Sequence, residues 1–243
     1  MVEAWAFQAS PPVGAGASAN VTLVRGTTFC ISDSTGDVHT GTEQGFFSRD
    51  TRLLSRFTLR LDQHSPEPLS TQRKDPYSCT FISRRRPKPG SADSTLLVVR
   101  DRRLTTGMRE RITLRNLGEE ATAVSLTLHV EADFADLFEV KENRPATRDL
   151  VSLHVGDESL EFSGTEASHQ AGVRVTASLA HAVDPGALTW HVVVPPRGSW
   201  STCVRVSPVV DGTAVDEDRG CAEADDGPHG QWYASWNGGP RSH

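Results

Sequence analysis

The chain has 243 residues, of which 25 are basic, 31 acidic and 37 % hydrophobic. A formal net charge of −6 excludes the basic surface that a nucleic-acid partner requires. No run approaches the ~20 apolar residues of a membrane helix, and the length suits one large β domain or two small ones.

Residues 1–20 are rich in Ala, Gly, Ser and Pro and read as a flexible lead-in, with Trp5 and Phe7 available to dock on the body. The lead-in has no basic residue, and Pro11, Pro12 and Gly14 interrupt it, so no secretory signal is expected and the protein reads as cytoplasmic. Short β-type runs begin at Val21, with candidate strands over Val21–Arg25 and Thr28–Ser32. Next comes Phe29-Cys30-Ile31-Ser32-Asp33-Ser34-Thr35-Gly36-Asp37, dense in small polar residues. Asp33 and Asp37 there are candidates for binding sugar hydroxyls or a cation. Asp-Ser-Thr-Gly-Asp is also a good turn, and no third carboxylate follows at calcium-loop spacing.

The most distinctive stretch is Gly45-Phe46-Phe47-Ser48-Arg49-Asp50-Thr51-Arg52-Leu53-Leu54-Ser55. Asp50 lies between Arg49 and Arg52, which predicts a structural aspartate ion-paired to arginine rather than a general acid, because such pairing lowers a carboxyl pKa. Leu53–Asp62 alternates with period two and predicts one half-buried strand. Tyr77–Arg84 and Thr95–Arg100 follow as strands, with Arg84-Arg85-Arg86-Pro87-Lys88 read as a solvated basic loop. Met108–Arg115 and the run from Val124 to Phe134 alternate on either side of a turn signal at 116–120, which predicts a long hairpin.

Asp133-Phe134-Ala135-Asp136-Leu137-Phe138-Glu139 is acidic enough to raise the question of glycoside hydrolysis. That chemistry needs two carboxylates about 5–10 Å apart with matched pKa values, and sequence proximity does not establish it. Beyond 148, five further runs (150–155, 160–163, 173–179, 188–194 and 200–206) read as strands separated by Pro and Gly. Residues 211–243 contain no Leu, Ile or Phe and read as a low-order tail. The expected organisation is therefore a lead-in (1–20), an all-β antiparallel sandwich (21–210) and a tail (211–243). Cys30, Cys79, Cys203 and Cys221 form no CxxC pair and are expected as reduced thiols, and no metal, nucleotide or other cofactor motif is present.

The run from Leu23 to Ser55, with Gly26, Phe29, Ile31-Ser32-Asp33, Gly36-Asp37, Gly45, Phe47 and Arg49-Asp50-Thr51-Arg52, resembles the opening of the bacterial glycogen-debranching N-terminal domain family. Asp133–Val140 resembles that family's second recurrent stretch, and the resemblance covers Val21 to Val206. It implies a β-supersandwich that precedes a helical (α/α) toroid of the amylo-α-1,6-glucosidase type, with the catalytic carboxylates in the toroid. The chain stops where that toroid should begin, which suggests a truncated or frameshifted product, or a stand-alone domain. The expected function is a non-catalytic structural or glucan-facing accessory domain, with the toroid and an α-glucan as partners. A free-standing carbohydrate-binding module is the second reading, with Trp190 and Trp200 as stacking candidates that also suit a core. A glycosidase complete within this chain is the third. Phe46, Phe47, Phe134, Leu137 and Phe138 are the expected apolar members of an exposed interdomain face, beside Asp136 and the arginines of the first stretch.

Overall fold

The computed structural model describes residues 20–87, 94–142, 144, 151–165, 170–180, 182–210 and 212–215. Most of the expected lead-in and tail lies outside them. In chain order the strands are β1 (Val21–Arg25), β2 (Thr28–Ser32), β3 (Gly45–Ser48), β4 (Thr51–Leu54), β5 (Arg56–Leu61), β6 (Glu67–Asp75), β7 (Ser78–Arg84), β8 (Leu96–Leu104), β9 (Met108–Asn116) and β10 (Thr122–Glu131). A five-residue helix, α1 (Leu137–Lys141), follows. The remaining strands are β11 (Val151–Val155), β12 (Ser159–Thr165), β13 (Gln170–Ala177), β14 (Ala182–Asp184), β15 (Ala187–Val194), β16 (Ser199–Val210) and β17 (Thr213–Ala214).

All pairings are antiparallel and fall into three sheets. The largest runs β11-β12-β13-β16-β9-β8-β7-β6, with β17 added to the end of β16. The other two are β1-β2-β3-β4 and β14-β15-β10-β5. They form the layer facing the large sheet: β1 and β2 contact β8, β4 contacts β13, and β15 contacts β9 and β16. One core joins all three sheets, with Leu23, Phe57, Phe81, Val98, Ile112, Leu128, Trp190 and Val204 each at most 1 % exposed. The all-β supersandwich expected from the sequence is the observed architecture.

Period-two alternation places the strands correctly but misleads at two points. Leu53–Asp62 is two strands, because the chain bends at Ser55 and passes from the first small sheet to the second. Both of its faces are therefore largely buried: Leu54 and Thr58, expected outside, are 0 % and 1 % exposed. The hairpin expected of Met108–Arg115 and Val124–Phe134 does not exist. β9 pairs with β8 and β16, whereas β10 pairs with β15 and β5. The turn between them is a corner from one layer to the other. Asn116 pins it: its Nδ2 donates to the carbonyls of Glu120, Val194 and Pro195, and its Oδ1 accepts from Gly118 N. A hairpin and an interlayer corner share the same local signal.

β6 carries no alternation and was not expected as a strand. It is an edge strand whose interior is exposed throughout, and Pro68 and its charged residues suit that position. Trp190 is fully buried and donates through Nε1 to Ser178 O at 3.0 Å, and Trp200 packs edge-on against it at 6.4 Å. Both belong to the core rather than to a sugar-stacking face. Cys30 and Cys79 are buried free thiols, whereas Cys203 is disulfide-bonded, which corrects the expectation of four reduced cysteines. Among the described residues no helix is long and apolar enough to cross a membrane.

The core makes a direct prediction. Leu128 is 0 % exposed at the centre of β10, so Leu128→Ala should cost about 2–5 kcal/mol in urea unfolding. Leu69→Ala on the exposed β6 should stay within about 0.5 kcal/mol of the parent.

Candidate functional site

The two distinctive stretches, about eighty residues apart, meet in space. Arg49 and Asp50 form the two-residue turn between β3 and β4, with φ of 49° and 64°. Two successive left-handed residues match the right-handed twist of a hairpin, and Asp tolerates that conformation better than most side chains. Residues 135–137 then line up along this turn. Leu137 N donates to Asp50 O at 2.9 Å, and Arg52 N donates to Ala135 O at 2.8 Å.

The side chains complete the junction. Arg52, 8 % exposed, donates from Nε to Asp133 Oδ1 at 3.1 Å and from Nη2 to Asp133 Oδ2 at 2.5 Å. Its Nη1 reaches the carbonyls of Thr42 and Gln44. Such a fork is the strongest form of ion pair and also fixes the angle between its partners. The expected arginine pair therefore exists with a different aspartate: Asp133 holds Arg52, while Asp50 is exposed and makes no ion pair among the described residues. Arg49 is likewise exposed at the turn, where its backbone N–H donates to Thr27 O.

Asp136 and Glu139 build the short helix. Asp136 Oδ1 accepts from Phe138 N at 2.8 Å, and Glu139 Oε2 accepts from Asp136 N at 2.9 Å, a reciprocal capping box. The helix sets Val140 and Leu137 against a second small core of Phe47 and Ala135, where Phe29 and Phe47 stack 4.4 Å apart. Phe46, Phe47 and Phe134 are all 0 % exposed and Leu137 is half-buried, so the apolar face expected of these residues is mostly interior. Phe138 is the exception at 62 % exposure, because adjacent helical residues point to different faces.

Asp33 and Asp37 divide between two roles. Asp33 Oδ1 accepts from Thr35 N, Thr35 Oγ1 and Asp37 N, and His39 Nε2 lies 3.0 Å from Oδ2. Burial would raise its carboxyl pKa; the bonds from Thr35 and His39 outweigh that and lower it. This is the turn role. Asp37 is only 2 % exposed and faces inward, so it is not placed to touch a sugar or a cation in solvent. Its Oδ1 accepts from Leu59 N and from Arg100 Nη1, at 3.0 and 2.5 Å, and its Oδ2 from Arg60 at 3.0 Å.

Asp37 opens onto a buried charge cluster that the sequence reading missed. Arg100 Nε donates to Glu110 Oε1 and Arg102 Nε to Glu110 Oε2, both at 2.6 Å. Arg102 Nη2 also donates to Gly36 O at 2.6 Å, and the guanidinium lies 5.4 and 5.3 Å from the ring centroids of Phe57 and Phe81. All three charged side chains are at most 1 % exposed. Burial pushes the Glu110 pKa up, but the two facing arginines prevail and hold it below the usual carboxylate range. A signal was present: strand alternation puts Arg100 and Arg102 on the face of Val98 and Leu104, and Glu110 on the face of Met108 and Ile112.

The carboxylates of the second stretch thus stabilise the fold. Asp133 holds Arg52, and Asp136 and Glu139 cap α1. Among the described residues no group of three His, Cys, Asp or Glu side chains is arranged to hold a metal ion.

Residues 23–205 match the family described as the N-terminal domain of some glycogen debranching enzymes. The chain belongs to this family. No curated protein matches it. Among solved structures it is similar to a protein from the human microbiome described as a kojibiose phosphorylase, at 10 % identity and a TM-score of 0.49, covering 72 % of this chain and 24 % of that one. It is also similar to a Synechocystis protein at 11 % identity and a TM-score of 0.49, covering 84 % of this chain and all of that one. A galactose mutarotase-like protein from Clostridium acetobutylicum aligns at 7 % identity and a TM-score of 0.43, covering 79 % and 96 % of the two chains. The chain spans about a quarter of the first of these proteins.

Two outcomes test the site geometry. Asp133→Asn should destabilise the chain by about 2–3 kcal/mol, the loss of charged hydrogen bonds to a buried arginine, whereas Asp50→Asn should leave the melting temperature unchanged. Glu110 adds a pH signature. Its folded pKa is depressed, so its stabilising contribution is complete above its ordinary value of 4.5 and is lost as pH falls through the folded value. Glu110→Gln should melt lower at neutral pH and show a flatter acid limb below that point in thermal melts.

Proposed function

We propose that this chain is a non-catalytic, cytoplasmic accessory domain of α-glucan metabolism that works beside a helical (α/α) toroid carrying the chemistry. Family membership supports the setting. The observation that carries the non-catalytic reading is the use of Asp133, Asp136 and Glu139 as structural carboxylates. A carboxylate held by a bidentate arginine or a helix cap is committed to that partner and is not free to serve as a proton donor. The surface we assign to the toroid lies around α1 and the β3–β4 turn, where Phe138, Arg49 and Asp50 are exposed side by side in sequence-distant segments joined by the Leu137–Asp50 hydrogen bond. Interdomain faces of this kind are part apolar and part polar.

The test has two arms. The purified chain should release no glucose from a branched limit dextrin; turnover abolished by Asp136→Asn or Glu139→Gln, with folding intact, would move the chemistry into this domain. In the second arm, light scattering coupled to size exclusion should detect a complex between the chain and the separately expressed toroid of a related full-length protein. Phe138→Ala should weaken that complex by roughly 5- to 30-fold without altering the melting temperature, the scale of an interface anchor. A chain that ignores the toroid yet binds glycogen in affinity electrophoresis would favour a free-standing binding module.

A further inference from the structure

Each sheet of this molecule ends in edge strands, and an edge with unpaired N–H and C=O groups is a template for another chain. Most of the edges are closed. On β1, Val24 N donates to Pro76 O at 2.8 Å, and Thr22 O accepts from Arg73 Nη2 at 3.0 Å. On β4, Arg52 N donates to Ala135 O. On β5, Phe57 exchanges backbone bonds with Val38, and Leu59 N donates to Asp37. β14 is only three residues long. β6, at one end of the large sheet, carries Glu67, Pro68, Arg73, Lys74 and Asp75, and its register with β7 shifts near both ends. Proline, charge and bulges are the usual devices against edge-to-edge pairing.

β11, at the other end of that sheet, has none of these devices. Its sequence Val151-Ser152-Leu153-His154-Val155 contains no Pro, Gly, Asp, Glu, Lys or Arg. Its register with β12 runs unbroken from the pair Val151–Gly164 to the pair Val155–Leu160. Among the described residues β12 is its only neighbour in the sheet, and Val151, Ser152, His154 and Val155 are exposed. Alternation puts Val151, Leu153 and Val155 on the face of Leu160 and Phe162, which are at most 4 % exposed. Leu153 packs against the core, whereas Val151 and Val155 are each 37 % exposed where the sheet ends.

The pattern of β11 is the same in either direction, with a polar residue and then a valine on each side of Leu153. A twofold interface demands such self-complementarity, since both copies present the same patch. We propose that β11 pairs antiparallel with β11 of a second copy of this chain, about a twofold axis at Leu153, and joins the two large sheets into one. In this register Val151 lies opposite Val155 of the second copy, Ser152 opposite His154, and Leu153 opposite its own equivalent. The apolar row of Phe162 and Leu153 then continues across the join, and the exposed valines are covered. On the other face Ser152 is bonded to Ser163, and Glu161 is neutralised by Arg174, so no like charges are forced together. The contact is small, five residues a side against roughly 20–30 in a standard interface, which makes the association weak and reversible. The pairing requires no toroid.

The experiment is sedimentation equilibrium of the full chain over about 10 µM to 2 mM, with half-association expected on the order of 0.1–1 mM. Val151→Lys and Val155→Lys together set like charges opposite each other on both sides of the axis. This variant should lower the association constant by roughly 10-fold or more. Val151→Lys with Val155→Glu sets opposite charges at the same points and should bring the constant back to within about 3-fold of the parent. The two variants differ at one position, and matching thermal melts separate lost pairing from lost folding. A parent that stays monomeric across the whole range would overturn the proposal. So would a dimer that the two variants leave intact or weaken equally, since that places the contact away from β11. If the parent is monomeric and the double-lysine variant instead weakens its complex with a separately expressed toroid, the edge belongs to the toroid and the second copy is excluded.

Discussion

Glu110 has no contact with solvent, and both of its oxygens are bonded to guanidinium groups, one from Arg100 and one from Arg102. A carboxylate in that position can be charged only while both arginines face it. Replacing one partner by a neutral group leaves a buried charge uncompensated, which is far more costly than the pair is stabilising. The cluster also specifies register. Arg102 lies directly opposite Glu110 in the pairing of β8 with β9, and a slip of one residue would turn Glu110 to the outside and bury the residues beside it. Asp37 extends the same cluster to the turn after β2 and, through Leu59 N and Arg60, to β5. Charged bonds therefore join the large sheet to the layer facing it, across an interior that also holds Phe57, Phe81 and many other apolar side chains.

The junction of Arg52 with Asp133 applies the same logic nearer the surface. Each residue comes from one of the two distinctive stretches, and the fork between them locks the β3–β4 turn to the segment entering α1. The density of acidic residues at 133–139 is thereby accounted for by folding requirements: one carboxylate for an arginine, two for a helix too short to hold itself by its own hydrogen bonds. A five-residue helix has most of its backbone N–H groups without internal partners, so its caps determine whether it forms.

Strand alternation sorts the basic residues of β8 into two populations with opposite tasks. Arg100 and Arg102 point inward and neutralise Glu110 and Asp37, while Asp101 and Arg103 point outward beside Arg109, Arg111 and Cys203. The inner arginines have fixed partners from three segments of the fold. The outer ones line a cavity on the opposite face of the large sheet. One strand thus serves both the cohesion of the sandwich and the character of its exposed face.

The sequence by itself determined the class of the fold and the whereabouts of most strands, because period-two alternation is a local property that burial on one face imposes on every strand. It also singled out the two stretches that meet at the junction, and the short polar run at Asp33 as a turn. What it did not determine was any pairing between distant segments. Asp50 sits beside arginine in sequence, yet Asp133 is the residue that holds Arg52. Phe46, Phe47 and Phe134 read as exposed only while the layers above them are unknown. Met108–Arg115 and Val124–Phe134 look like a hairpin because a corner between layers uses the same turn residues and the same alternation. Charged residues on an apolar face, such as Glu110, signal a buried partner without naming it. The tertiary structure decided these points, since ion pairing, burial and sheet membership depend on which chain segments pack together, and no local pattern encodes that choice.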